Sequence, residues 1–183
     1  MTSSAARSPT GYDVAAIRRE FPVLQETVNG HPLVYLDSAA SAQKPQAVID
    51  AERGVYERYY SNIHRGVHRL STLATEAYEN ARDTIGRFLG ASSRREVILL
   101  RGTTEAINLV AQSYGRRHVG PGDEVLITGL EHHSNIVPWQ LLCERTGATL
   151  RWFGITDQGR LDESNLDDLI NERTKLVSFV LVS

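Results

Sequence analysis

Residues 124–153 read EVLITGLEHHSNIVPWQLLCERTGATLRWF, with one apolar run at each end and a longer amphipathic segment between them. The pattern predicts strands at Glu124–Thr128 and Thr149–Phe153 and a helix over Ser134–Arg145. A strand, a helix and a second strand of these lengths form a βαβ unit, in which the two strands run parallel. The stretch therefore predicts an α/β fold with a mostly parallel sheet covered by helices.

The same alternation of apolar runs and helical patterns extends in both directions. Further strands are predicted at Leu33–Leu36, at Glu96–Leu100 and within the apolar run 175–183. Helices are predicted at Asp13–Glu20, Pro45–Tyr60, Ser71–Gly90, Thr103–Tyr114 and Leu161–Asn171. We expect residues 1–20 to form a flexible tail and a short helix, and residues 21–183 to form one domain that is incomplete at its C-terminus, because the last apolar run has no covering element after it.

Composition narrows the functional classes. The chain has a net charge of −2, with 41% hydrophobic and 23% charged residues, which is typical of a globular protein and gives no reason to expect a nucleic-acid partner. No apolar run is long enough to span a membrane, and residues 1–11 lack the apolar core of a secretory signal, so we expect a cytoplasmic protein. Cys143 is the single cysteine, and its helical, leucine-flanked position favours a small buried hydrophobe over a nucleophile.

Two loops at predicted strand ends carry polar side chains. In Arg101–Glu105 (RGTTE), Thr103 and Thr104 would open a helix and offer N–H groups and hydroxyls to an anion such as a phosphate. The alternative is that they are ordinary N-cap threonines. In Gly129–Asn135 (GLEHHSN), a histidine could stack on an aromatic ligand and exchange protons near neutral pH, or could simply cap the next helix. Since ligands gather at strand carboxyl ends, both loops can face one pocket.

A third segment, residues 62–68, has histidines four residues apart, His64 and His68. On a helix this spacing could bind a metal ion, but Gly66 lies between the two histidines and Arg65 would repel a cation. A basic loop that meets an anion or a neighbouring subunit fits these residues better. We therefore assign no metal ligands here and keep metal binding as an alternative interpretation.

Taken together, five segments resemble the SufS-type cysteine desulfurases of the class-V aminotransferase family. They are Asn29-Gly30, YLDSAASAQKP (35–45), HRGVH (64–68), RGTTEAINLV (101–110) and EHHSNIVPWQ (131–140). The likeness runs from about Phe21 to the end of the chain, in order and with sensible spacing. Each motif alone is weak, whereas the five in series are highly specific.

The resemblance implies a truncated large domain of a fold-type I enzyme, a three-layer α/β/α structure that binds pyridoxal 5'-phosphate and is normally a homodimer. It implies that Thr103 and Thr104 bind the cofactor phosphate and that His132 stacks on the pyridine ring and assists proton transfer. Ala39 matches a position near the substrate, and His64 and Arg65 match a loop near the active site and dimer interface. Family members convert L-cysteine to alanine and an enzyme persulfide, whose sulfur passes to an acceptor protein of iron–sulfur cluster assembly.

Several family residues have no counterpart here. The only lysines, Lys44 and Lys175, do not match the position of the lysine that binds the cofactor covalently, and Cys143 does not match the persulfide cysteine. We therefore expect the 183-residue chain by itself to produce no alanine from cysteine. Three alternatives stay open: a selenocysteine lyase or another class-V enzyme, a non-catalytic fragment that acts only in dimerisation, and a metal-binding protein.

Overall fold

The computed structural model describes residues 11–183, so most of the predicted N-terminal tail, residues 1–10, lies outside the described part. The chain divides into two compact units, one ending at Val97 and the other beginning at Ile98. No helix within residues 11–183 is both long enough and apolar enough to cross a membrane.

The first unit is mainly helical. Its regular elements are α1 (Val14–Arg19), the 3₁₀ turn Pro22–Gln25, β1 (Thr27–Val28), β2 (His31–Pro32), α2 (Gln46–Arg58), α3 (Arg69–Leu89) and the 3₁₀ turn Arg94–Glu96. The two helices predicted to begin at Asp13 and Pro45 begin one residue later, because the Asp13 side chain caps α1 and Pro45 is the N-cap residue of α2. Gly90 ends α3 in the left-handed conformation that favours glycine.

The start of α3 differs from the predicted helix start at Ser71. The helix begins at Arg69, and the cap is His68, whose ring Nδ1 accepts the N–H of Ser71 at 3.3 Å. Ser71 is buried instead, and its hydroxyl donates to the carbonyl of Asn62 at 2.7 Å. An imidazole nitrogen can serve as the cap acceptor just as a serine hydroxyl can, and the pattern of cap residues does not include histidine.

The strand predicted at Leu33–Leu36 was wrong. The strands there are β1 and β2, which form an antiparallel hairpin around Asn29-Gly30, both with positive φ. Such a turn suits a two-residue hairpin. The backbone of Leu33 is used elsewhere, because its N–H donates to the Glu26 carbonyl and its carbonyl accepts from the Arg18 guanidinium.

The second unit holds the parallel sheet. Its elements are α4 (Thr103–Val110), a π-helical turn (Ala111–Gly115), α5 (Arg116–His118), β3 (Glu124–Thr128), the 3₁₀ turn His133–Asn135, α6 (Val137–Thr146), β4 (Thr149–Phe153), the 3₁₀ turn Glu163–Asn165, α7 (Leu166–Leu169) and β5 (Thr174–Ser178). The two strands of the βαβ unit have the predicted bounds. The helix between them starts later than predicted, with Pro138 in its first turn, where a proline is tolerated.

The sheet has the order β4-β3-β5, and both pairings are parallel. Every residue of the central strand β3 is buried. Val125 and Ile127 pack with Trp139 and Leu142 of α6 on one face. Leu126, on the opposite face, packs with Phe153 and Leu169. Helices therefore cover both faces of β3, which confirms the predicted α/β/α architecture with a parallel sheet.

The strand predicted at Glu96–Leu100 was also wrong. Residues 97–100 join neither sheet, and Ile98 is 64% exposed. The carbonyl of Val97 accepts the side-chain Nε–H of Arg82 at 3.0 Å instead of a strand partner. An apolar run predicts burial, but a strand forms only where a neighbouring backbone supplies hydrogen bonds.

Candidate active site

A surface cavity of about 330 Å³ lies between α4 and the loop that follows β3. Thr104 of α4 and His132 of the loop both line it. Its lining is completed by Asn108, His133, Ser134, Val137 and Pro138. Both polar loops singled out in the sequence therefore contribute to one cavity, which lies entirely within the second unit.

The start of α4 leaves donors available to a ligand. Gly102 is the N-cap and makes no side-chain capping bond, so Thr103 and Thr104 occupy the first two helical positions. The alternative that they are ordinary N-cap residues is therefore wrong. The first N–H groups of a helix have no partner within the helix, and its dipole favours an anion there. Thr104 lines the cavity, whereas Thr103 is not among its lining residues.

The charges beside this helix start neutralise each other. The Glu105 carboxylate accepts the Arg101 backbone N–H at 2.9 Å and two guanidinium N–H groups at 3.1 and 3.2 Å. These bonds lower the pKa of Glu105 and raise that of Arg101. The acidic side chain of the first turn is thus drawn back to Arg101, which reduces its repulsion of an anion at the helix start.

His132 both lines the cavity and caps the 3₁₀ turn His133–Asn135. Its Nδ1 accepts the backbone N–H of Ser134 at 3.2 Å and lies 2.9 Å from the hydroxyl Oγ of the same residue. Because a backbone N–H can only donate, Nδ1 is the acceptor and the neutral ring carries its proton on Nε2. The capping alternative is therefore correct for this residue, and it is compatible with a role in the cavity.

A hydrogen-bonded network that involves Glu131 and Asn135, on either side of His132 in the chain, was not predicted from the sequence. The Glu131 carboxylate accepts from the Thr128 hydroxyl at 2.6 Å, from the Val180 N–H at 3.0 Å and from the Asn135 amide at 2.7 Å. The Asn135 carbonyl oxygen accepts from Trp139 Nε1 at 2.8 Å and from the Ser178 hydroxyl at 2.7 Å. The only signal in the sequence was the spacing of four between Glu131, Asn135 and Trp139, which is helical, whereas residues 131–135 form a loop and a 3₁₀ turn.

The residues predicted to lie near the substrate belong to the first unit. Ala39 is exposed in a turn whose ends are held by the Tyr35 hydroxyl, which donates to the Ser41 carbonyl at 2.6 Å. His64 has a positive φ of 70°, and its N–H donates to Thr75 Oγ1 at 2.8 Å.

The His64 ring also has a partner, since Nε2 lies 3.1 Å from the Glu79 carboxylate. Arg65, the next residue, is exposed. The contact between His64 and Glu79 explains how a non-glycine residue is held in the left-handed region. The assignment of Ala39, His64 and Arg65 to the substrate stays a prediction.

Within residues 11–183, no group of three or more His, Cys, Asp or Glu side chains is arranged to hold a metal ion. His64 contacts Glu79, and His68 caps α3. The lysines are engaged on the surface: Lys44 Nζ donates to the Ala42 carbonyl at 2.7 Å, and Lys175 Nζ donates to the Glu172 carbonyl at 2.9 Å. The cavity that Thr104 and His132 share is lined by none of these two histidines and two lysines.

Cys143 lies in the core of the second unit, where it is 6% exposed and packs with the α6 and β3 side chains. This confirms the prediction of a small buried hydrophobe. Burial raises the pKa of its thiol, because loss of water disfavours the thiolate.

We expect Cys143 to react slowly with iodoacetamide near neutral pH, at least about tenfold more slowly in the native protein than in urea, since the thiolate is the reacting form. The rate should rise as the pH is raised toward the elevated pKa of the thiol. Mass spectrometry of the alkylated chain measures both rates. Equal rates in the two conditions would mean that the thiol is accessible and ionised in the native state.

The fold and the cavity together define an α/β protein with a parallel sheet whose strand-end loop lines a surface cavity. Residues 34–183 match the family described as Aminotransferase class-V. The chain belongs to the aminotransferase class-V family.

The relatives agree with this assignment. A probable cysteine desulfurase of Streptomyces coelicolor is 56% identical over 176 residues, which cover 93% of this chain and 42% of that protein. The crystal structure of the cysteine desulfurase CsdA from Escherichia coli matches with a TM-score of 0.74 and 37% identity over 91% of this chain and 40% of that one. This chain therefore spans about two fifths of the length of these relatives.

A more distant neighbour is a C-DES structure in which glycine is covalently linked to the PLP cofactor. It matches with a TM-score of 0.64 and 19% identity over 88% of this chain and 40% of that one. The likeness shows a shared fold. The architecture of the second unit is accordingly that of the fold-type I enzymes, which confirms the fold class predicted from the sequence.

Proposed function

We propose that this chain forms the cofactor-cradling part of a pyridoxal-phosphate-dependent cysteine desulfurase. Such an enzyme converts L-cysteine to L-alanine and retains the sulfur as a persulfide on one of its cysteines. The observation that carries the proposal is the single cavity that Thr104 and His132 share. The 56% identity to a probable cysteine desulfurase supports the choice of reaction.

The residues of the cavity suit pyridoxal phosphate. A dianionic ester fits the start of α4, where helix N–H groups and the Thr103 and Thr104 hydroxyls can donate to it. The cavity of about 330 Å³ is within the range of small-molecule sites. The imidazole of His132, which lines the same cavity, is an aromatic ring on which the pyridine ring could stack.

When bound, pyridoxal phosphate supplies an aldehyde that reacts with the substrate amino group and a ring that accepts electrons. The chain's own contribution is orientation and proton transfer. His132 Nδ1 is engaged by the Ser134 N–H, so Nε2 carries the proton of the neutral ring and is the ring nitrogen available to a ligand. A histidine is suited to proton transfer because its charge changes near neutral pH.

The remaining parts of the proposal follow from the family. We propose a cytoplasmic homodimer in which Ala39, His64 and Arg65 lie near the substrate L-cysteine. The exposed guanidinium of Arg65 can approach a carboxylate, while Thr75 and Glu79 hold the preceding residue in place. The sulfur would pass to an acceptor protein of the iron–sulfur assembly system.

We expect Thr104→Val to weaken the affinity for pyridoxal phosphate by about tenfold or more, because a hydrogen bond to a charged group is lost while the shape of the side chain is kept. The affinity for pyridoxal, which lacks the phosphate, should stay unchanged. Both affinities are measured by titration of the ligand absorbance.

The control is Thr84→Val, which removes a threonine hydroxyl from the exposed surface of α3 in the other unit. This variant should bind both ligands as the unmodified protein does. If the unmodified protein bound pyridoxal and pyridoxal phosphate equally well, the phosphate would have no site at the start of α4, and the assignment of Thr104 would be wrong.

A further inference from the structure

The carboxylate of Glu131 connects three segments of the second unit. One oxygen accepts from Thr128 at the end of β3 and from the Val180 N–H beyond β5, and the other accepts from Asn135. A second hydrogen bond joins the loop after β3 to the chain after β5, since the Ser183 hydroxyl donates to the Leu130 carbonyl at 3.2 Å. The loop that carries His132 is thereby fastened to the chain that follows β5.

The orientation of the Asn135 amide is fixed by its neighbours. Trp139 Nε1 is a donor and never an acceptor, so the atom it meets must be the amide oxygen of Asn135. The Asn135 NH₂ group consequently faces Glu131, and Asn135 is only 8% exposed. Since the Val180 N–H is also a donor, Glu131 must accept on both oxygens.

From this arrangement we infer that Glu131 is a positioning residue for His132. Glu131 and Asn135 lie on either side of His132 in the chain, and the hydrogen bond between their side chains closes the turn. The carbonyl of His132 also accepts the Asn135 N–H at 2.8 Å. The turn holds the Ser134 N–H against His132 Nδ1 and so fixes the direction of the ring. The link to cofactor binding rests on the function proposed above, whereas the position of the ring does not.

Exchanging the carboxylate of Glu131 and the amide of Asn135 between the two positions tests the inference. Glu131→Gln places an NH₂ group either against the Asn135 NH₂ or against the Val180 N–H, so two donors meet. Asn135→Asp places two carboxylates against each other at a contact of 2.7 Å. In the double variant, the introduced amide donates to the introduced carboxylate, every other partner is satisfied, and the net charge returns to that of the unmodified chain.

We expect each single variant to accelerate hydrogen exchange of the Ser134 and Val180 N–H groups by about tenfold or more and to shift or broaden the NMR signals of the His132 ring. The double variant should restore the ring signals and bring exchange to within about twofold of the unmodified chain. Glu144→Gln removes an exposed carboxylate from α6 and is the matched control for loss of charge.

The outcomes separate this inference from the proposed function. Unchanged His132 signals and Ser134 exchange in Glu131→Gln would overturn the positioning role, whatever the cofactor affinity. If the single variants do not fold, a folded double variant with restored ring signals supports the role, and a double variant as disturbed as the singles overturns it. Failure of the unmodified protein to bind pyridoxal phosphate would overturn the proposed function alone.

Discussion

Leu142→Ala is expected to lower the free energy of unfolding by about 2–5 kcal/mol, because it removes a fully buried side chain and leaves a cavity that the core fills only in part. Leu142 is 0% exposed and packs between β3 and the helical segment that follows α4. Urea denaturation followed by circular dichroism measures the change.

The neighbouring leucine provides the matched control. Leu141 precedes Leu142 in α6 but is 46% exposed. We expect Leu141→Ala to cost about 1 kcal/mol or less, since it removes the same atoms from a half-exposed position. Equal losses for the two variants would mean that α6 does not present Leu142 to the core in solution.

Gly115 lies against the side chain of Leu142 and leaves no room for a side chain of its own. A Cβ added at Gly115 would lie 2.6 Å from Leu142 Cδ2, although the backbone there, with φ −56°, is one that alanine adopts readily. Gly115→Ala should therefore destabilise the unmodified core. In the Leu142→Ala background the same change should be neutral or stabilising, because the obstructing methyl is gone and alanine favours a helix.

The central part of the fold could be predicted from the sequence because its signals are local and agree with one another. In β3, five consecutive buried residues follow a glycine-rich turn, and the helix and strand after it have lengths that leave only a parallel pairing. The connections between β3, α6 and β4 are short, so the local hydrophobic pattern decides the structure of this segment more than contacts with distant residues do.

The incorrect predictions share a physical cause. Leu33–Leu36 and Glu96–Leu100 are apolar runs whose backbone groups are taken by arginine side chains from distant helical positions, Arg18 and Arg82. A window of residues reports hydrophobicity but contains no information about such long-range donors. Strand formation in these segments depends on a partner that the local sequence does not specify.

The candidate site, like the fold, was predictable only where the signals are local in the sequence. The cavity shared by Thr104 and His132 was predictable, because each residue follows from a strand-end loop and its motif. The Glu131 and Asn135 contacts were not, since they depend on Ser178 and Val180, which are more than 40 residues away in the chain. A sequence motif therefore indicates candidate ligand-binding residues more readily than the residues that position them.

Two substitutions of His132 should separate its proposed contact with the cofactor ring from its proposed role in proton transfer. His132→Phe keeps a flat aromatic face but removes both ring nitrogens. His132→Asn keeps a side-chain oxygen that can accept the Ser134 N–H and cap the turn, but removes the ring. The Phe variant therefore loses the proton carrier and the capping nitrogen, whereas the Asn variant loses the proton carrier and the aromatic face but keeps a capping acceptor.

In a cofactor-loaded desulfurase that contains this chain, as proposed above, we expect His132→Phe to bind pyridoxal phosphate with nearly unchanged affinity and to lose about 10²–10⁴-fold in alanine formation, the usual contribution of a positioned acid–base group. His132→Asn should lose both affinity and turnover, because it lacks the aromatic face as well as the proton carrier. Absorbance titration measures the affinity, and amino-acid analysis measures alanine. Full turnover by the Phe variant would exclude proton transfer by His132, while full affinity in the Asn variant would show that the ring of His132 contributes nothing to cofactor binding.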